Sequence, residues 1–133
     1  MAGERNLDNL LRYMSPELKA GEYVFCSLEQ SSYGDFADAK PIACFTEDEG
    51  LSLVVLRKDA ERLDLPYETF LRCISLRIHS SLEAVGLTAA IAGDLAAQGI
   101  AANIIAAHFH DHVFVPADMA ERALGILSSY SDT

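Results

Sequence analysis

From Phe70 onward the apolar residues repeat every second position, then at helical spacing, then every second position twice more, then at helical spacing again. Cys73-Ile74-Ser75-Leu76-Arg77-Ile78 puts Ile74, Leu76 and Ile78 on one side, the alternation of a half-buried strand. Leu87, Ala90, Ile91 and Leu95 then recur as on one helix face. The pattern predicts a strand over 70–79, a helix over 86–98 and strands over 100–109 and 111–115. A closing helix follows, opened by Pro116, with Met119, Ala123, Ile126, Leu127 and Tyr130 on its apolar face. The order β-α-β-β-α is the split βαβ, ferredoxin-like plan, in which two helices cover one face of an antiparallel sheet.

The first half follows the same plan in degraded form. Leu7, Leu10, Leu11 and Met14 make an amphipathic helix over 6–13, capped by Asn6 and broken by Ser15-Pro16. A strand over 22–28 leads into a polar stretch, 29–40, a loop where the first helix belongs and of a kind suited to covering a site. Strands over 41–46 and 51–56 flank the acidic turn Glu47-Asp48-Glu49-Gly50, with the glycine taking a positive φ. A short helix over 57–65 stops at Pro66. The expected class is therefore α+β, two tandem ferredoxin-like βαββα modules with antiparallel sheets, residues 1–67 (degenerate) and 68–133. Strand 70–79 suits either sheet.

Twenty Asp and Glu against ten Lys and Arg give a formal charge of −10, which opposes attraction to nucleic-acid phosphates or anionic lipid. No apolar run reaches membrane-span length and Met1-Ala2-Gly3-Glu4-Arg5-Asn6 lacks the layout of a signal peptide, so a soluble cytoplasmic protein is expected. Cys26, Cys44 and Cys73 are odd in number and widely spaced, as buried thiols are rather than a disulfide framework or a zinc site.

Four features compete for function. Ser80-Ser81-Leu82-Glu83-Ala84-Val85-Gly86-Leu87-Thr88 joins strand to helix, and such a junction aims backbone N–H groups and the positive end of the helix dipole at an anion. It equally suits a plain serine cap, with Gly86, Gly93 and the alanines of the helix serving close packing. Thr46-Glu47-Asp48-Glu49-Gly50 supplies acidic groups, and an anion-binding helix start with nearby carboxylates complements both ends of a free amino acid. His108-Phe109-His110-Asp111-His112 is rich in zinc or iron donors, yet a turn at His110-Asp111 would break the period that aligns the three rings. Finally, no G-x-S-x-G, Walker or G-x-G-x-x-G motif supports nucleophilic or nucleotide chemistry.

The β-α-β-β-α order, the turn at 80–87, Asn103 on the following strand and Phe109-His110-Asp111-His112-Val113-Phe114-Val115-Pro116 resemble the ACT domain. Gly21-Glu22-Tyr23-Val24-Phe25-Cys26 and residues 46–55 are similar to a small bacterial group of tandem ACT-like proteins of unknown function. The resemblance implies a regulatory fold binding a small molecule, most often an amino acid, with Ser80, Ser81, Leu82, Glu83, Val85, Gly86 and Leu87 in the binding turn and Asn103 facing it. Thr46, Glu47 and Asp48 extend the site from the first half. It also implies a homodimer and no cofactor. Two rivals stay open: an assembly module without ligand, and a metal or acyl-transfer enzyme using His108, His110 and His112. On the binding reading, a β-branched residue at Gly86 would block the ligand while leaving the fold mostly intact.

Overall fold

The computed structural model describes residues 3–132. The chain divides into two compact units, a central unit of residues 21–71 and a split unit joining residues 1–20 to 72–133. Residues 3–20 therefore group with the second half of the chain.

In the central unit, β2 (Tyr23–Leu28), β3 (Ala43–Glu47) and β4 (Gly50–Leu56) form an antiparallel sheet in the order β3-β4-β2, extended by Phe70 and Leu71 beside Val24 and Tyr23. Val24, Cys26, Leu51, Leu53 and Val55 share one sheet face, and Ala60 of α2 (Arg57–Arg62) packs against it. In place of a first helix, residues 29–40 form turns and a three-residue 3-10 helix whose Ala39 is buried in that core. The β3–β4 turn is as predicted. Gly50 has φ +143°, and a Cβ there would stand 2.5 Å from the Leu28 carbonyl oxygen, so the turn admits no side chain.

In the split unit, α1 (Leu7–Tyr13) begins where predicted, with Asn6 Oδ1 accepting the Asn9 N–H at 3.0 Å. The Glu4 carboxylate reinforces that start by accepting from the Arg5 and Asn6 amides and from Asn9 Nδ2. After Ser15, at φ +46°, comes a strand that the sequence pattern does not reveal, β1 (Pro16–Leu18), antiparallel to β5 (Phe70–Leu76) through Pro16↔Leu76 and Leu18↔Ile74. β5 pairs in turn with β7 (Asp111–Pro116), and β7 with β6 (Asn103–Ala106), an antiparallel hairpin turning at residues 107–110. Strand 70–79 is thus shared: Phe70 and Leu71 pair within one unit, Ile74 to Leu76 within the other.

α1, α3 (Leu87–Ala97) and α4 (Ala120–Ser128) contribute to one core with this sheet. Leu10, Ile74, Leu76, Leu87, Ile91, Leu95, Val113, Val115, Ala123 and Leu127 are among its buried members. On α3 the buried stripe is Leu87, Ile91 and Leu95, whereas Ala89, Gly93, Ala96 and Ala97 are exposed. A Cβ at Gly93 would meet nothing within 4 Å, so of the two glycines expected to serve close packing Gly93 does not do so within this chain. The α+β, antiparallel architecture itself is as predicted.

Candidate functional site

The turn at 80–87 is held from within and from the chain's start. Ser81 Oγ accepts the Glu83 N–H at 3.1 Å and the Ser81 carbonyl accepts the Ala84 N–H at 3.0 Å. Glu4 bridges to Ser80 in parallel: its N–H donates to the His79 carbonyl, and its carbonyl accepts the Ser81 N–H, each at 2.8 Å. Gly3 lies so close that a Cβ on it would reach the Ser81 nitrogen at 2.7 Å. The amides of Ser81, Glu83 and Ala84 are therefore already engaged within the protein.

The first intrahelical bond of α3 runs from the Ala90 N–H to the Gly86 carbonyl, so the amides of Leu87, Thr88 and Ala89 have no intrahelical partner. No side chain caps this end, and its first turn carries no acidic residue. The expected serine cap is absent because Gly86, at φ +102°, is the capping residue and the serines lie a full turn of chain upstream. Its missing side chain also serves packing, since a Cβ there would come 3.1 Å from Leu7 Cδ2 of α1. A β-branched residue at Gly86 would thus disturb the fold as well as a ligand, contrary to expectation.

A shallow cleft of ≈ 160 Å³ lies at this helix start. Ser80, Ser81, Leu82, Gly86 and Leu87 of the predicted set line it, with Thr88, Ala89 and Ala106 beside them. The other predicted residues are not among its lining. Glu83 projects outward and pairs with Arg5 at 3.7 Å, Val85 is 83% exposed, and Asn103 is exposed on β6 opposite Phe114. Thr46, Glu47 and Asp48 belong to the central unit, exposed at the β3–β4 turn, where the Glu47 carboxylate accepts from Ser52.

Asp111 completes the cleft wall, a residue that turn statistics place on the surface. It is only 7% exposed, and the Ser80 hydroxyl donates to its Oδ2 at 3.3 Å. The turn occupies 107–110, and Asp111 is already in β7, paired with Ala106. The signal was available, because in period two Asp111 falls on the same face as core residues Val113 and Val115. Burial pushes its carboxyl above the ordinary aspartate range, against smaller opposing effects of the Ser80 hydroxyl, His112 and His110.

The imidazoles do not converge. His112 Nδ1 lies 2.8 Å from Ser75 Oγ, His110 Nδ1 lies 3.3 Å from the Ile78 carbonyl, and His108 stands edge-on to Phe109. Among the described residues no group of three or more His, Cys, Asp or Glu side chains is arranged to hold a metal ion. Cys26 and Cys73 are buried thiols, raised by desolvation, while Cys44 is half-buried. No helix among the described residues is long and apolar enough to cross a membrane.

Comparison with known proteins agrees with this architecture. ACT domain models match residues 2–72 and 70–129. A crystal structure of a protein of unknown function from Vibrio cholerae, described as a possible transport protein, is 46% identical. That match covers 94% of this chain and 95% of that one at a TM-score of 0.85. The ligand-free regulatory subunit of aspartate kinase from Thermus thermophilus shares the fold at 12% identity, with 89% and 97% coverage and a TM-score of 0.62. Escherichia coli aspartokinase III, solved with aspartate and ADP, does so at 14% identity, covering 92% of this chain and 34% of that one, with a TM-score of 0.67. None of the curated proteins matches. Two consecutive family matches and a near full-length relative place the chain in the ACT domain family.

Proposed function

We propose that this chain is a stand-alone regulatory module, not an enzyme, that binds a free amino acid at the start of α3. The observation that carries the reading is the cleft itself. Three backbone amides without intrahelical partners and the positive end of an eleven-residue helix face a cavity whose own first turn offers no carboxylate. A ligand carboxylate supplies what that end lacks. Aspartokinase-type regulatory folds among the structural relatives support a small-molecule ligand of this class.

A thermal-shift series with each proteinogenic amino acid at millimolar concentration tests the proposal. At least one is expected to raise the melting temperature, by about 2–5 °C for a ligand well above its Kd. No shift with any of them contradicts it.

Assembly without a ligand is the second reading, favoured by Leu82 and Val85, which stand 69% and 83% exposed on the turn. A homodimer in the cytoplasm fits both readings. Light scattering separates them: association that responds to an amino acid fits sensing, and a dimer indifferent to every amino acid fits assembly alone.

A further inference from the structure

Buried carboxylates are normally paired with a cation, because desolvating the charge costs far more than a neutral hydrogen bond returns. Asp59 of the central unit obeys this rule. At 6% exposure it accepts from Arg62 at 3.0 Å and 3.3 Å. Asp111 of the split unit does not. It is as deeply placed, yet its partner is the Ser80 hydroxyl, and among the described residues no Lys or Arg forms an ion pair with it. Asp111 lines a cleft whose lining also includes Leu87, Thr88 and Ala89 at the start of α3.

We propose that Asp111, positioned by Ser80, is the ammonium-recognising group of this cleft, so that the site selects ligands carrying a protonated amine beside a carboxylate. The inference rests on the binding reading above and adds to it the group that distinguishes an amino acid from a simple organic acid. Helix-start amides alone accept any carboxylate. A desolvated carboxylate in the same cleft rewards a ligand that brings a cation. In the free protein, burial disfavours the charged form of Asp111 more than Ser80 and the two histidines favour it, and a ligand ammonium would offset that cost. The groups facing it are Ser80 from the β5–α3 connection and His110 and His112 from its own strand and turn.

The test compares the wild type with Asp111→Asn, nearly equal in shape, against matched probes: each α-amino acid and the α-hydroxy acid of the same side chain, titrated calorimetrically. The wild type is expected to prefer the amino acid by about 10- to 100-fold, the worth of a charge-assisted hydrogen bond, and the variant to lose that preference. The free variant is expected to melt at or above the wild type at neutral pH, because an unpaired buried charge has gone. If the wild type binds amino acids and the variant binds them equally well, the assignment of Asp111 is overturned while the binding reading stands. If the wild type binds neither probe class, both fall. A free variant that melts well below the wild type also overturns the proposal, by showing that Asp111 is there to hold the fold.

Discussion

Among the described residues each unit buries one aspartate, and the molecule treats the two in opposite ways. In the central unit Asp59 is closed by Arg62, which also donates to the Asp38 carbonyl at 2.8 Å and so ties the 3-10 segment to α2. That charge is spent on structure. In the split unit Asp111 accepts from the Ser80 hydroxyl, forms no ion pair with a Lys or Arg among the described residues, and borders a cleft. The same contrast runs through the architecture: where one unit follows its first strand with short turns and three 3-10 residues, the other has an eleven-residue helix whose start lies open. On the proposed function, a buried acid without a Lys or Arg partner beside an uncapped helix start is what a ligand would complete.

The largest effects are expected at the turn glycines. Gly50→Val should destabilise by about 3 kcal/mol or more, because φ +143° and a carbonyl 2.5 Å from the new Cβ leave no relaxation. Gly86→Val should destabilise by about 2 kcal/mol, since there the neighbour is the mobile Leu7 side chain at 3.1 Å. Chemical denaturation of both variants checks the order, and a silent Gly86→Val would remove the packing role given to that residue.

Next comes the aspartate pair. Arg62→Ala should destabilise by about 1–3 kcal/mol, as it strands Asp59 in a buried position, although Arg62 itself is half-exposed. Asp111→Asn should instead stabilise the free protein by about 1 kcal/mol at neutral pH. The sign follows from linkage. A carboxyl raised above its unfolded value near 3.8 holds its proton more tightly when folded, so its stabilising contribution is complete at low pH and is lost as pH rises through the raised value. Urea midpoints measured from acid to neutral pH should show the gap between variant and wild type opening as pH rises. A gap that closes would break the comparison.

The smallest expected effect is that of His112, held beside Ser75 with its pKa lowered, chiefly by burial. Here the unfolded chain binds the proton first, so stability is lost as pH falls from about 6.5 through the lowered value. His112→Gln should flatten that part of the pH profile.

Much of the fold was legible because long periodic segments carry it. The Asn6 cap, the helical spacing of Leu87, Ile91 and Leu95 and the glycine at the β3–β4 turn each commit a stretch of backbone locally. β1 was not legible, because three residues behind a positive-φ serine show no alternation, and its place is set by β5, more than fifty positions away. For the same reason the pairing of Glu4 with Ser80 left no local trace. At the site, the turn could be read from its strand and helix neighbours. Asp111 opened the strand expected over 111–115, as observed, but the turn expected at His110-Asp111 hid its burial, which its register with Val113 and Val115 carries. Which turn amides stay free depended on Ser81 and Glu4, contacts that spacing does not encode.

The most direct test of the central claim is a backbone amide NMR titration of the intact chain with the amino acid that gives the largest thermal shift. Perturbations should concentrate at Leu87, Thr88 and Ala89 and at Asp111, and leave Thr46, Glu47 and Asp48 unmoved. Shifts confined to the β3–β4 turn, or no shift at the start of α3 under saturating ligand, would contradict the account.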